Sequence, residues 1–175
     1  MDKRTQKKKI IKEVLIFLIK FNVLLIPFYL IILLDINFYP LQINFANFIA
    51  MILRGLGYNI ETSNFIIFVD KSYPIDISRD CIGWKGIYSL FALLFATHGK
   101  IKNKLKFFAI WAPVLFLINI FRVLITFLIG VNYGLIYLEI AHSFLWQEGM
   151  ILIVVAIWYF WLKKGNLIGD VRNIL

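Results

Sequence analysis

The sequence predicts a mainly α, polytopic transmembrane helical bundle: about four spans, an outer interfacial helix and a small extracytoplasmic β-hairpin, forming a single integral membrane domain over residues 1–175. Three observations predict it. Hydrophobic residues make up 61% of the chain and the mean hydropathy is +0.82, more apolar than a soluble domain normally is. Polar residues gather in short tracts between apolar runs of spanning length. Basic residues concentrate in alternate tracts, as the positive-inside pattern requires of cytoplasmic ends.

Residues 1–12 form a basic cytoplasmic tail carrying Lys3, Arg4, Lys7, Lys8, Lys9 and Lys12. The first span follows over residues 13–34. Its length and the lack of a small-residue cleavage site after Leu34 make it a permanent anchor rather than a cleaved signal. Residues 35–81 then lie outside, the second span covers 82–97, and Lys100, Lys102, Lys104 and Lys106 mark the return to the cytoplasm. The third span covers 107–129, the fourth 142–162, and Lys163 and Lys164 place the following segment inside. Asp35, Glu61, Asp70, Asp76, Asp80 and Glu139 all fall in segments assigned to the outside. The net charge of +9 therefore follows the membrane. With no interleaved aromatic and basic surface, it argues against a nucleic-acid partner.

Within the external segment, residues 41–57 are apolar but short and interrupted by Asn44, Asn47 and Arg54. They read as an amphipathic interfacial helix ending at Gly55 or Gly57, with a fifth span as the alternative. Beyond it, Asn64–Val69 and the alternation of Tyr73, Ile75 and Ile77 with Pro74, Asp76 and Ser78 fit a hairpin turning near Asp70, Lys71 and Ser72. Pro74 confines the second strand to an edge. An open edge beside a thiol suits an extended peptide; a loop that merely caps the bundle is the other reading.

The rare polar residues near the spans carry the chemistry. Cys81 is the only cysteine, which excludes an internal disulfide and a dithiol redox pair. It opens the second span, where free N–H groups and the helix dipole favour a thiolate; an isolated buried cysteine can also be a plain small hydrophobe. Lys85, one turn on, either adds positive charge on that face or snorkels to the headgroups. Arg122 lies roughly 10 Å below the outer end of the third span at about 1.5 Å per residue. A charge there must face the bundle interior and be paired or solvated, with Glu148 of the fourth span as the obvious structural partner. Asn119 and Thr126 share its helix stripe. His142 opens the fourth span and, with a reference pKa of about 6.5, suits proton exchange with a thiol and a leaving amine. His98 falls in the internal basic tract. No cofactor is expected, and Cys81 and His142 with nearby acids supply too few soft ligands for a metal.

Cys81 in Cys-Ile-Gly, Asn119 and Arg122 as N-x-x-R in an apolar helix, and His142 in Ala-His-Ser resemble the ordered Cys, Arg and His motifs of the exosortase/archaeosortase family. The resemblance runs from about Arg54 through Trp161 and includes the glycine-containing stretch and hairpin before the cysteine. Ile82 departs from it, since many members carry Ser or Thr there. The composition leans toward the archaeal branch.

The resemblance implies a membrane cysteine transpeptidase with catalytic Cys81, Arg122 and His142, supported by Asn119, Lys85 and Glu148. Its partners would be membrane proteins ending in a sorting signal, made of a short motif, an apolar helix and a basic tail. The acceptor it implies is a membrane lipid headgroup, with water as the alternative. Such a helix, with its tail inside, would present the preceding motif at the outer face, level with Cys81. The reading from a different class is a noncatalytic membrane-assembly or secretion factor, in which Arg122 and Glu148 matter and Cys81 and His142 do not.

Overall fold

A computed structural model describes residues 3–69, 73–144 and 149–164. Among them the protein is mainly helical: α1 (Lys3–Leu33), α2 (Tyr39–Gly55), α3 (Trp84–Ala96), α4 (Ile101–Tyr133), α5 (Leu135–Phe144) and α6 (Met150–Lys164), with β1 (Ile60–Ser63), β2 (Ile66–Val69) and β3 (Tyr73–Asp76). A four-residue 3-10 turn, Arg79–Ile82, precedes α3. The chain divides into two compact units.

The first unit comprises residues 1–35, 86–113 and 151–175. Ile10–Leu33 of α1 is predominantly apolar, interrupted by Lys12, Glu13, Lys20 and Asn22, and none of its residues is fully buried within the protein. A helix of that kind needs an apolar solvent. Aromatic packing orders this unit: Phe17 stacks on Trp158 at 5.6 Å, Phe28 meets Tyr88 at 5.7 Å, and Phe107 meets Trp161 edge-on at 5.2 Å. The Tyr88 hydroxyl donates to the Leu24 carbonyl at 2.7 Å, satisfying its polar end.

The second unit comprises residues 36–85 and 114–150. Its α2 buries Gln42, Phe45, Ala46, Ile49, Ala50 and Leu53, the three- and four-residue spacing of one helical face. Leu41, Phe48 and Met51 stay exposed on the other. The buried face packs on a three-stranded antiparallel sheet of order β1-β2-β3. Arg54 Nε donates to the Ile60 carbonyl at 2.9 Å, and buried Gln42 Nε2 to the Ile77 carbonyl at 3.2 Å, tying α2 to both ends of the sheet segment. The hairpin expected over 64–78 is present as β2 paired with β3, and β1 is an additional strand; the turn at residues 70–72 lies outside the described ones.

Two helices, Ile10–Leu33 and Ile101–Tyr133, are long and apolar enough to cross a membrane. The second and fourth expected spans instead meet shorter apolar helices, α3 and α6. At about 1.5 Å per residue, the 13 residues of α3 rise by roughly 20 Å, less than a hydrocarbon core of about 30 Å. Gly134, at φ +95, redirects the chain from α4 into α5. Leu138 of α5 folds back over Gly130, its Cβ 3.1 Å from where a side chain at Gly130 would begin, so a larger residue there would have to push Leu138 aside.

Candidate active site

Cys81 is buried in the 3-10 turn that links the sheet to α3. Its amide donates to the Ser78 carbonyl at 3.0 Å, and its sulfur shares a hydrogen bond with Ser78 Oγ at 3.4 Å. The turn ends at Gly83, φ +86, a left-handed conformation that side chains disfavour. Glycine is required there twice over. A Cβ on Gly83 would lie 2.7 Å from Asn119 Cγ.

That closeness lets α4 hold the turn from the side. Asn119, fully buried, donates from Nδ2 to the Cys81 carbonyl at 2.8 Å. Asn119 thus grips the backbone of Cys81 itself. Arg122 lies one turn further along α4 and is 7% exposed. Its guanidinium is near enough to interact with the Cys81 thiol as a hydrogen-bond partner and as a charge.

Cys81 and Arg122 line one cavity of about 220 Å³, together with Pro74, Ile75, Asp76, Ile77, Val123, Thr126, Phe127 and Leu138. Its walls are mostly apolar, and its polar residues are Cys81, Arg122, Thr126 and Asp76. Burial pushes the Cys81 thiol above its ordinary range. The Ser78 hydroxyl and then the Arg122 charge pull it back, while Asp76 pushes it up. The sequence suggested a thiolate favoured by a helix N-terminus and by Lys85. Burial outweighs the first effect, and Lys85 Nζ is engaged with Asp80 Oδ2 at 2.6 Å.

His142 lies in α5, one helical turn after the cavity-lining Leu138; its side chain lies outside the described residues. Glu148 also lies outside them. The structure thus brings Cys81, Asn119 and Arg122 together and sets Lys85 on Asp80. Ser78 and Asp76 contribute to the site without having stood out in the sequence. Only the position of Ser78, three residues before Cys81, hinted at the turn that joins them.

A buried thiol beside a fixed cation, in a small and mostly apolar cavity, suits nucleophilic chemistry in which negative charge develops near the cation. With burial holding the thiol above its ordinary range, such chemistry calls for a group that takes its proton. Compared with known protein families, residues 11–162 match the family model described as transmembrane exosortase. No curated protein and no solved structure matches the chain.

Proposed function

The chain belongs to the transmembrane exosortase family, whose members are membrane transpeptidases acting on sorting-signal substrates, and on that premise we propose that it is a multi-pass enzyme whose nucleophile is Cys81. The substrate is an exported surface protein with a carboxyl-terminal signal of short motif, apolar helix and basic tail. Cleavage takes place at the extracytoplasmic face, with the amino-terminal tail and the segment after α6 in the cytoplasm.

His142 takes the thiol proton as sulfur attacks the scissile carbonyl. The S–C bond forms and the C–N bond breaks, and His142 returns the proton to the departing amine. Arg122 stabilises the thiolate and then the oxyanion. Asn119 is a positioning residue, holding the Cys81 turn through its carbonyl. A nucleophile at a lipid headgroup then attacks the thioester, loses its proton, and releases Cys81 as the thiol. The product is a lipid-anchored protein; attack by water would give a free carboxylate.

The observation that carries this reading is the shared cavity of the Cys81 thiol and the Arg122 guanidinium. Mass spectrometry of surface-protein carboxyl termini, in cells carrying the wild-type chain or Cys81→Ala, tests it. Wild-type cells should yield shortened termini bearing a lipid adduct, and Cys81→Ala cells should retain the full-length signal. Normal processing by Cys81→Ala would refute the nucleophile.

A further inference from the structure

The geometry points to the free edge of β3 as the binding track for the substrate: the segment around the scissile bond adds to the sheet as a fourth, extended strand beside Cys81. This rests on the reading of Cys81 as nucleophile and specifies how that site takes its polypeptide.

The register fixes which backbone groups face outward. β2 and β3 pair as Ile66 with Asp76, Ile67 with Ile75, Phe68 with Pro74 and Val69 with Tyr73. The Ile77 amide donates to the Phe65 carbonyl at 3.0 Å, so the bonded pairs of the ladder fall on Ile77, Ile75 and Tyr73. The backbone groups of Pro74 and Asp76 therefore point away from β2. Pro74 has no N–H to offer, which is why proline is tolerated at that position of an edge strand. Asp76 presents both an N–H and a C=O, and Pro74 a C=O. β3 closes the sheet order, and among the described residues nothing pairs with the Asp76 backbone on that side.

The cavity lies along that same edge. A cavity on one face of a strand is lined by alternate residues, because side chains alternate between faces. Here Pro74, Ile75, Asp76 and Ile77 in succession line the cavity that Cys81 and Arg122 also line. A peptide entering it leaves water for walls of Ile75, Val123, Phe127 and Leu138, where an unpaired peptide group is costly. The Asp76 and Pro74 backbone groups satisfy alternate residues of an extended chain. Pairing at Asp76 holds the peptide in the cavity that Cys81 also lines.

The probe is a reporter carrying the carboxyl-terminal segment of a surface protein that accumulates uncleaved in Cys81→Ala cells. Asp76→Pro deletes the outward N–H, while Asp76→Ala removes the same carboxylate and keeps that N–H. At equal membrane abundance, Asp76→Pro should process the reporter about two- to tenfold more slowly than Asp76→Ala, the worth of one hydrogen bond. Equal rates, in proteins whose Cys81 reacts with iodoacetamide as in the wild type, would overturn the proposal. A proline scan of the reporter against the wild-type chain avoids any folding defect of the enzyme. Loss of processing at every second position supports a paired strand, and loss in one contiguous block or at no position overturns it. Should Cys81→Ala process every surface protein normally, the nucleophile reading fails and this inference with it. A failure confined to the Asp76 comparison and the scan leaves the nucleophile standing.

Discussion

Asn119 of α4 holds the carbonyl of Cys81 at 2.8 Å across the one position, Gly83, where a side chain would have kept them apart. Cys81 is fixed by its backbone as much as by its sulfur. The helix that supplies this bond also carries Arg122, so turn and cation are set by one rigid element. Sites built on regular elements hold their geometry better than sites built on loops alone.

Gly83→Ala should therefore damage the site more than its one carbon suggests. The left-handed backbone costs of order 1–3 kcal/mol for a residue with a Cβ, and that Cβ must displace Asn119. We expect processing to fall at least about tenfold with Cys81 still present. Asn119→Ala leaves a buried carbonyl unpaired, costing about 1–3 kcal/mol. Its loosened turn should let iodoacetamide reach Cys81 faster in detergent. Wild-type alkylation rates in both variants would show that Asn119 does not hold the turn.

The Cys81 thiol, raised by burial, should be protonated at neutral pH. Its alkylation rate should climb with pH and inflect above the value of about 8.5 typical of a free thiol. Ser78 and Arg122 both lower it, so Ser78→Ala and Arg122→Gln should each move the inflection higher. Folding follows the same sign. A raised pKa contributes stability that is complete below the unfolded thiol's titration and is lost as pH rises through the folded value. An inflection below the free-thiol range would mean a resting thiolate and remove the need for a base.

Much of this was legible in the sequence because membrane elements advertise themselves by hydropathy. The apolar runs that became α1 and α4 needed no tertiary information. The amphipathic helix α2 was legible from its apolar residues interrupted by Asn44, Asn47 and Arg54, and the β2–β3 pair from alternation around Pro74. β1 was not, because Ile60-Glu61-Thr62-Ser63 carries one apolar side chain and becomes a strand only by pairing with β2. The resting state of the thiol was not legible either. It depends on how deeply the turn is buried and on which acid Lys85 finds, and one-turn spacing along a helix gives neither. The contact of Ser78 with sulfur likewise exists only once the 3-10 turn has formed.

Arg122 should be irreplaceable by charge alone. Its guanidinium offers several donors in a plane, enough to serve sulfur and oxyanion together, whereas lysine is a point charge. Losing one oxyanion donor typically costs about 10²–10³ in rate. Arg122→Gln should show a deficit of that order at normal membrane abundance, with Arg122→Lys only partly restoring it. Full activity in Arg122→Lys would reduce the role of Arg122 to electrostatics.

Stability and the proposed chemistry should be separable, because a second polar cluster lies in the unit that does not contain Cys81, Asn119 or Arg122. Buried Thr97 donates to the Leu94 carbonyl at 2.6 Å and accepts from Trp161 Nε1 at 3.2 Å. Buried Lys104 donates to the Thr97 and Phe95 carbonyls, taking up acceptors that the end of α3 leaves open. Thr97→Val keeps the shape and removes the hydroxyl, leaving the Trp161 N–H without its acceptor. That costs about 1–3 kcal/mol and should lower the melting temperature in detergent by several degrees. At growth temperatures well below the transition, reporter processing per folded molecule should match the wild type. A processing defect at full stability would instead mean that the α3 end is coupled to the chemistry at Cys81.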